Sequence, residues 1–214
     1  MDKWQKLGYE YDAIYSGFLA DAGQIEVVAD AISRFAKDDS LIVVDPAMGD
    51  NGNLYPVFTP AIVPEMRKLI AKATVITPNY TEACLLAGIP YSEDLPKTTE
   101  MLDLCKTLSD MGPEKVVITS VASDMNTSKI VSYDTTTASF DEYPVLRLPF
   151  STCGTGDLFT SVLTGALLQG TMLHAAIKKA ADFLSYAINY THKSGSDPRE
   201  GVQVEPCLGQ LLKD

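Results

Sequence analysis

The chain alternates between short apolar runs and longer segments in which apolar residues recur with helical spacing. The runs typical of buried strands are residues 12–17, 41–46, 74–79 and 115–120. The segments with helical spacing are residues 23–37, 60–73, 81–88 and 95–112. An alternation of strands and helices of this kind predicts an α/β fold, with a largely parallel central sheet and helices on both of its faces.

The pattern changes after residue 120. Residues 129–134 and 138–148 are closely spaced strand-like segments on either side of three threonines, which predicts a hairpin or a sheet edge. Two helical segments follow, at about 156–169 and 173–191, and a short C-terminal helix is expected after residue 204. The chain has no internal repeat, low-complexity tract or linker, so we expect one domain over residues 1–214.

Composition narrows the classes of function. With 46% hydrophobic and 21% charged residues, the chain is typical of a globular protein. No apolar run approaches the roughly 20 residues of a membrane span, and the N-terminus lacks a signal-peptide pattern. The net charge of −11 argues against a nucleic-acid partner, although a local site can still bind a small anion. The four dispersed cysteines predict reduced thiols in the cytoplasm rather than a zinc site.

The segment CGTGDLF, at residues 153–159, is the first candidate for chemistry. Gly154 and Gly156 allow tight backbone conformations just where a helix is expected to begin. Backbone N–H groups at a helix N-terminus bind phosphate, and Asp157 would there be placed to accept a proton from an attacking hydroxyl group. On its own, a GxGD motif is more typical of a simple helix start, with the aspartate complementing the helix dipole.

Three further polar clusters follow predicted strands. Asp45 ends one strand, and Asp50 lies in the glycine-containing loop after it; such acids either hold a phosphate-bound magnesium ion or are ordinary turn residues. Asn79 and Glu82 have the spacing of a capping box, which is compatible with a role near a metal. The third cluster, Thr119 and Ser120, consists of hydroxyl groups suited to nucleotide contact or to strand-end capping. Ligands of doubly wound sheets bind at the carboxyl ends of the strands, so the clusters together indicate one site.

The order of these motifs resembles the ribokinase-like superfamily and, within it, the pyridoxal kinases. The matching segments are YDAIYSGFL, VVDPAMGDNGNLY, VITPNYTEACLLAG, VVITS and GTGDLFTSVLTGALLQG. The resemblance extends from about residue 9 to about residue 191. The hydroxymethylpyrimidine kinases are similar in the DP and TPN segments. They usually have a cysteine where this chain has Asp157, which favours the pyridoxal kinases.

The resemblance implies an ATP-dependent phosphorylation of the 5′-hydroxymethyl group of pyridoxal, pyridoxine or pyridoxamine, with Asp157 as the base. It implies an anion hole formed by Gly154, Thr155 and Gly156. It implies that Asp45, Asp50 and Glu82 bind magnesium and ATP phosphates. It implies a nucleotide site that includes Tyr55, Thr77, Asn79, Thr119 and Ser120. It further implies Mg²⁺, often a monovalent cation (K⁺ or Na⁺), and a homodimer.

The resemblance also implies a strand, a helix and flanking segments ahead of the point where this chain begins, including a serine that contacts the pyridine ring. Residues 1–8 do not replace them. We therefore expect a complete nucleotide half and an incomplete vitamin half, in either a truncated product or a natural short form.

Three alternatives stay open at the level of the sequence. The first is a hydroxymethylpyrimidine kinase of thiamine synthesis, and the second is an inactive remnant that binds nucleotide without transferring phosphate. The third is an unrelated nucleotide-binding α/β module, which requires the motif match to be accidental.

Overall fold

A computed structural model describes residues 1–124, 127–146, 150 and 152–212. Its helices and strands alternate along the chain as the apolar pattern predicts. The strands are β1 (Tyr11–Ser16), β2 (Ala36–Val44), β3 (Gly49–Asp50), β4 (Asn53–Leu54), β5 (Val75–Ile76), β6 (Lys115–Ala122), β7 (Thr127–Asp134) and β8 (Ser139–Leu146). The α-helices are α1 (Asp2–Lys6), α2 (Ala22–Phe35), α3 (Ile62–Ile70), α4 (Tyr80–Ala87), α5 (Thr98–Ser109), α6 (Thr155–Leu168) and α7 (Leu173–Ser194). Two 3₁₀ helices follow, at Pro198–Glu200 and Glu205–Gln210.

Six strands form the main sheet, in the order β1-β2-β5-β6-β7-β8. β1, β2, β5 and β6 pair in parallel, whereas β7 is antiparallel to β6. The register aligns Ser16 with Val44 and Val44 with Ile76. The residues that follow β2 and β5 therefore emerge at the same edge of the sheet, as the sequence predicts. A largely parallel α/β fold is confirmed.

The described residues group into two compact units, residues 1–144 and 145–214. The core of the first unit contains Val44, Ile76 and Ile118 from the strands, all fully buried. Helix α2 contributes Ile25 and Ile32 from the apolar face expected from its spacing. Burying one such aliphatic side chain stabilises the fold by about 1.5–3 kcal/mol, so this core holds the sheet that carries the strand-end loops.

The second unit contains α6, α7 and the two 3₁₀ helices. A buried cluster of Phe183, Ala187 and Cys207 packs against Leu158 and Val162 of α6. Thr191 of α7 is also fully buried, and its hydroxyl accepts a hydrogen bond from the backbone N–H of Gln203 at 2.9 Å. The predicted C-terminal helix is thus a 3₁₀ segment tied to α7. The single kinase domain expected over 1–214 stays a prediction.

Elements near the N-terminus also differ from the expectation. β2 begins at Ala36, five residues before the predicted run, because the Ser40 hydroxyl bonds the carbonyl of Tyr11 at 2.6 Å and the N–H of Lys37 at 2.7 Å. Helix α1 was not predicted; its Trp4 packs edge-on against Phe35, with ring centroids 6.3 Å apart. Among the described residues, no helix is long and apolar enough to cross a membrane. The end of the predicted strand 138–148 lies outside the described residues.

Candidate active site

Asp45 directly follows β2 and is buried, at 7% exposure. Its backbone N–H donates to the carbonyl of Ser16 at 2.8 Å, which continues the β1–β2 pairing one residue past β2. Met48, three residues on, is fully buried and anchors the following loop in the core. The loop after β2 therefore begins from a fixed position, with a carboxylate at its start.

Asp50 lies in a small hairpin formed by β3 and β4, where the sequence pattern predicts a loop. Asn51 and Gly52 form its turn with φ angles of 50° and 78°, the positive values of the type I′ turn that favours Asn-Gly. The exposed Asp50 accepts from the N–H of Asn51 at 2.8 Å. The Asn-Gly pair between residues 49–50 and 53–54 is the signal from which this hairpin was predictable.

Glu82 lies in the first turn of α4 and is 2% exposed. The predicted capping box is present: the N–H of Glu82 donates to Asn79 Oδ1 at 2.9 Å, and the N–H of Asn79 donates to Glu82 Oε2 at 2.8 Å. Glu82 Oε1 in addition accepts from the N–H groups of Met48 at 3.0 Å and Gly49 at 3.4 Å. The carboxylate thus joins the loop after β2 to the turn after β5.

Two more side chains of the same turn contact the hairpin. Asn79 Nδ2 donates to the carbonyl of Gly49 at 2.8 Å. The N–H of Gly52 donates to Thr81 Oγ1 at 2.9 Å, and Thr81 is buried. Sequence reasoning missed Thr81, because a threonine in the first turn of a helix carries no signal of a long-range partner.

The predicted acidic residues influence one another electrostatically. The pKa of Glu82 is raised to about 8, mainly by burial and secondly by the charge of Asp45. Hydrogen bonds from three backbone N–H groups oppose this shift. The pKa of Tyr55 is raised to about 12, mainly by burial and secondly by the charges of Glu82, Asp50 and Asp45. The Tyr55 hydroxyl and the three acidic side chains therefore lie in one region, where the charges of Asp45 and Asp50 would attract a cation.

The ends of β5 and β6 supply the remaining predicted nucleotide residues. Thr77 is buried, and its N–H donates to the carbonyl of Val44 at 3.1 Å. Thr119 forms a parallel bridge with Asn79. The exposed Ser120 has a φ of 57°, an uncommon conformation for a residue with a Cβ atom. Strained backbone of this kind is concentrated at functional sites.

The GTGD segment begins α6, as predicted. Gly154 is the N-cap with a φ of 81°, in the left-handed region that favours glycine. A glycine has no side chain to accept from the first-turn amides, and among the described residues the N-cap makes no side-chain hydrogen bond to them. Asp157 lies in the same turn and is exposed. Cys153, just before, accepts from the N–H of Val202 at 3.3 Å through its carbonyl.

The structure thus brings most of the predicted site residues together within each unit. In the first unit they lie beyond the carboxyl ends of β2 and β5 and in the last part of β6, which runs on to Ala122: Asp45, Asp50, Tyr55, Thr77, Asn79, Glu82, Thr119 and Ser120. In the second unit, Gly154, Thr155, Gly156 and Asp157 form the start of α6. In the described part of the chain, no three acidic, histidine or cysteine side chains are grouped closely enough to hold a metal unaided.

The sequence matches the family of phosphomethylpyrimidine kinases over residues 7–201. This chain belongs to that family. Its curated relatives include a pyridoxine kinase of Bacillus subtilis, 32% identical over 185 residues, which are 85% of this chain and 65% of the relative. A hydroxymethylpyrimidine/phosphomethylpyrimidine kinase of Haemophilus influenzae is 32% identical over 178 residues, 81% of this chain and 64% of the relative.

Solved structures agree with this assignment. A provisionally named phosphomethylpyrimidine kinase of Bacteroides thetaiotaomicron, in a crystal form with pyridoxal, is 41% identical with a TM-score of 0.94, covering 99% of this chain and 74% of that one. A Staphylococcus aureus pyridoxal kinase in complex with AMP-PCP is 26% identical with a TM-score of 0.72, covering 87% and 66%. The ribokinase-like fold and the likeness to pyridoxal kinases, both expected from the motifs, are confirmed. The chain spans just under two thirds of the length of the two curated relatives.

Proposed function

We propose that this family member transfers the γ-phosphoryl group of ATP to the 5′-hydroxymethyl group of pyridoxal, pyridoxine or pyridoxamine. The observation that carries the proposal is the start of α6, where the exposed Asp157 lies in the same turn as backbone amides behind a glycine N-cap. The names of the relatives support a kinase that acts on a small heteroaromatic alcohol, and ATP is the donor that the AMP-PCP complex of one neighbour supports.

Asp157 is proposed as the general base. Its carboxylate takes the proton of the hydroxymethyl group, the freed oxygen attacks the γ-phosphorus, and the bond from that phosphorus to the β-phosphate bridging oxygen breaks to release ADP. The amides of Gly154, Thr155 and Gly156 are proposed to stabilise the charge on the transferred group, an effect to which the positive end of the α6 dipole adds.

Asp45, Asp50 and Glu82 are proposed to manage Mg²⁺, the two aspartates by direct contact and Glu82 mainly through the backbone of residues 48 and 49, which it binds. Their donors are carboxylate oxygens, which Mg²⁺ prefers, and this ion usually takes only one or two protein carboxylates besides phosphate and water. The acidic side chains that raise the pKa of Tyr55 are the same ones, which supports a cation site at this position. Mg²⁺ would offset the negative charge of the phosphates. Thr77, Asn79, Thr119 and Ser120 are proposed to contact the nucleotide, with Tyr55 near its phosphates.

Further parts of the proposal follow from the family rather than from contacts of this chain. They are a single kinase domain over residues 1–214, a monovalent cation (K⁺ or Na⁺) beside Mg²⁺, a homodimer and a cytoplasmic location. Equilibrium sedimentation tests the dimer, and turnover in KCl against a tetramethylammonium salt tests the cation.

A hydroxymethylpyrimidine kinase is the second candidate. It is favoured by the Haemophilus relative, whose 32% identity equals that of the Bacillus pyridoxine kinase. Comparing kcat/KM for pyridoxal with that for the pyrimidine alcohol decides between them. Pyridoxal should be preferred, and a preference for the pyrimidine would overturn the assignment.

An inactive nucleotide-binding remnant would give a different result in calorimetry. Titration with ATP and Mg²⁺ would then release heat, whereas titration with pyridoxal would not. We expect binding of both ligands, and nucleotide binding alone would favour the remnant.

A further inference from the structure

The first turn of α4 holds the β3–β4 hairpin at several points. We refer to its three contacting side chains, Asn79, Thr81 and Glu82, as the hairpin clamp. Asn79 binds the carbonyl of Gly49, Thr81 binds the N–H of Gly52, and Glu82 binds the N–H groups of Met48 and Gly49. Each of these bonds uses a backbone group of residues 48–52, the segment that contains Asp50.

Glu82 uses most of its hydrogen-bonding capacity in the clamp. An ionised carboxylate has about four lone-pair sites, two on each oxygen. Oε1 accepts from Met48 and Gly49, and Oε2 accepts from Asn79. These three bonds leave about one site, on Oε2, for a proton, a water or a cation. The geometry therefore favours contacts with the backbone over direct coordination of a metal.

Two of the three clamp side chains are buried, and the bonds of Glu82 to Met48 and Gly49 are buried with them, which makes these bonds costly to break. Thr81 and Glu82 are 3% and 2% exposed. A buried N–H group that loses its acceptor costs about 1–3 kcal/mol. The ring of Tyr91 packs closely against Gly52, since a Cβ atom added there would come within 2.7 Å of it. The hairpin thus has little freedom to move away from α4.

We infer that the hairpin clamp is a positioning device for Asp50 and that Thr81 and Glu82 act on phosphoryl transfer through the hairpin backbone. This inference rests on the proposed function, because that function assigns Asp50 to the magnesium of the nucleotide. It gives Thr81 a role that its chemistry alone does not suggest. It also makes Glu82 chiefly a positioning residue.

Thr81→Val tests the inference, because valine keeps the shape of threonine and removes the acceptor for Gly52. We expect two effects. Hydrogen exchange at the Gly52 amide, followed by NMR, should become faster by about tenfold, the equivalent of one buried hydrogen bond. The Mg²⁺ concentration at the midpoint of ADP binding, measured by calorimetry, should rise by a similar factor. Thr81→Ser, which restores the hydroxyl, should return both values towards those of the unsubstituted chain.

Thr74→Val is the matched control. Thr74 Oγ1 accepts from the N–H of Ile42 at 3.1 Å, so this substitution removes the same kind of bond in the same unit. It should lower thermal stability without moving the Mg²⁺ midpoint. If the Gly52 amide exchanges at an unchanged rate in Thr81→Val, Thr81 does not hold the hairpin and the inference is wrong. If exchange becomes faster but the Mg²⁺ midpoint does not move, the clamp contributes only to fold stability, and the inference is wrong as well. If the unsubstituted chain binds ADP but transfers no phosphate, the proposed function is wrong. Hydrogen exchange at Gly52 and the Mg²⁺ midpoint of ADP binding do not require turnover, so they would still test the clamp.

Discussion

Asp157 is the residue on which the proposed chemistry depends. It is exposed in the first turn of α6, where a carboxylate is also favoured by the helix dipole. Asp157→Asn keeps the shape and removes the base, so kcat should fall by about 10²-fold or more, while the affinity for ATP changes little. Steady-state kinetics and nucleotide titration measure the two effects. Near-normal turnover of the variant would show that this carboxylate only caps the helix.

Cys153 offers a chemical probe of the same loop. It is exposed, whereas Cys84, Cys105 and Cys207 are buried, and burial raises the pKa of their thiols, that of Cys105 to about 12. Iodoacetamide should therefore modify one thiol of the native chain, at Cys153, since the thiolate is the reactive form.

ATP with Mg²⁺ should slow that modification, because phosphates at residues 154–156 would obstruct the neighbouring thiol. Mass spectrometry of the labelled peptides measures both the position and the rate. Cys153→Ser should abolish this modification of the native chain. Labelling at an unchanged rate with saturating nucleotide would argue against an anion site beside Cys153.

At the scale of elements, substitutions at the two ends of α6 distinguish a functional role of the helix start from a role in stability. Gly154 and Gly170 stand just beyond the two ends of this helix with φ angles of 81° and 80°. Apart from the adjacent residues, no atom of the described part of the chain lies within 4 Å of a Cβ added to either. Alanine at each position should cost about 1–2 kcal/mol from left-handed backbone strain. Thermal unfolding measures that loss.

Only Gly154→Ala should also lower turnover, because it alters the orientation of the proposed anion hole. Gly170→Ala is the control with the same strain at the opposite end of the helix. Equal losses of activity in the two variants would mean that the start of α6 contributes stability and nothing specific to catalysis.

The elements were predictable where one periodicity dominates. Helix α4 and its capping box followed from Asn79, Glu82 and Gly88, because helix caps are local features of sequence. The β3–β4 hairpin was missed although Asn51-Gly52 signals it, since strands of two residues have no apolar alternation. The first five residues of β2, 36–40, were not predicted because most of them are polar. They are held in the strand by contacts with β1, such as the bond from the Ser40 hydroxyl to the carbonyl of Tyr11.

At the scale of the whole molecule, the motif order identified the fold and the strand ends that gather the polar residues. The sheet order β1-β2-β5-β6-β7-β8 is a long-range property that the pattern left open. The bonds of Thr81 and Glu82 to the hairpin were equally hidden, since they join residues about 30 positions apart. Residues distant along the chain become partners only once the sheet has aligned the strand ends.

Nucleotide binding should be visible as stabilisation of the folded chain. At a ligand concentration of about 100 times Kd, binding adds about 2.7 kcal/mol, which for a chain of this size raises Tm by roughly 5–10 °C. ATP with Mg²⁺ should give this shift, and ATP with EDTA a smaller one. Asp45→Asn should reduce the part that depends on Mg²⁺. An equal shift with and without the metal would contradict the assignment of Asp45 and Asp50.

The most direct test follows the phosphorus atom itself. Incubating the purified chain with ATP, Mg²⁺ and pyridoxal, and recording ³¹P NMR spectra, distinguishes transfer to the alcohol from hydrolysis. We predict a phosphomonoester resonance that grows as the γ-phosphate signal declines, and no such growth over the same period with Asp157→Asn. Release of inorganic phosphate alone, or an equal yield of ester from the variant, would contradict phosphoryl transfer by this chain with Asp157 as its base.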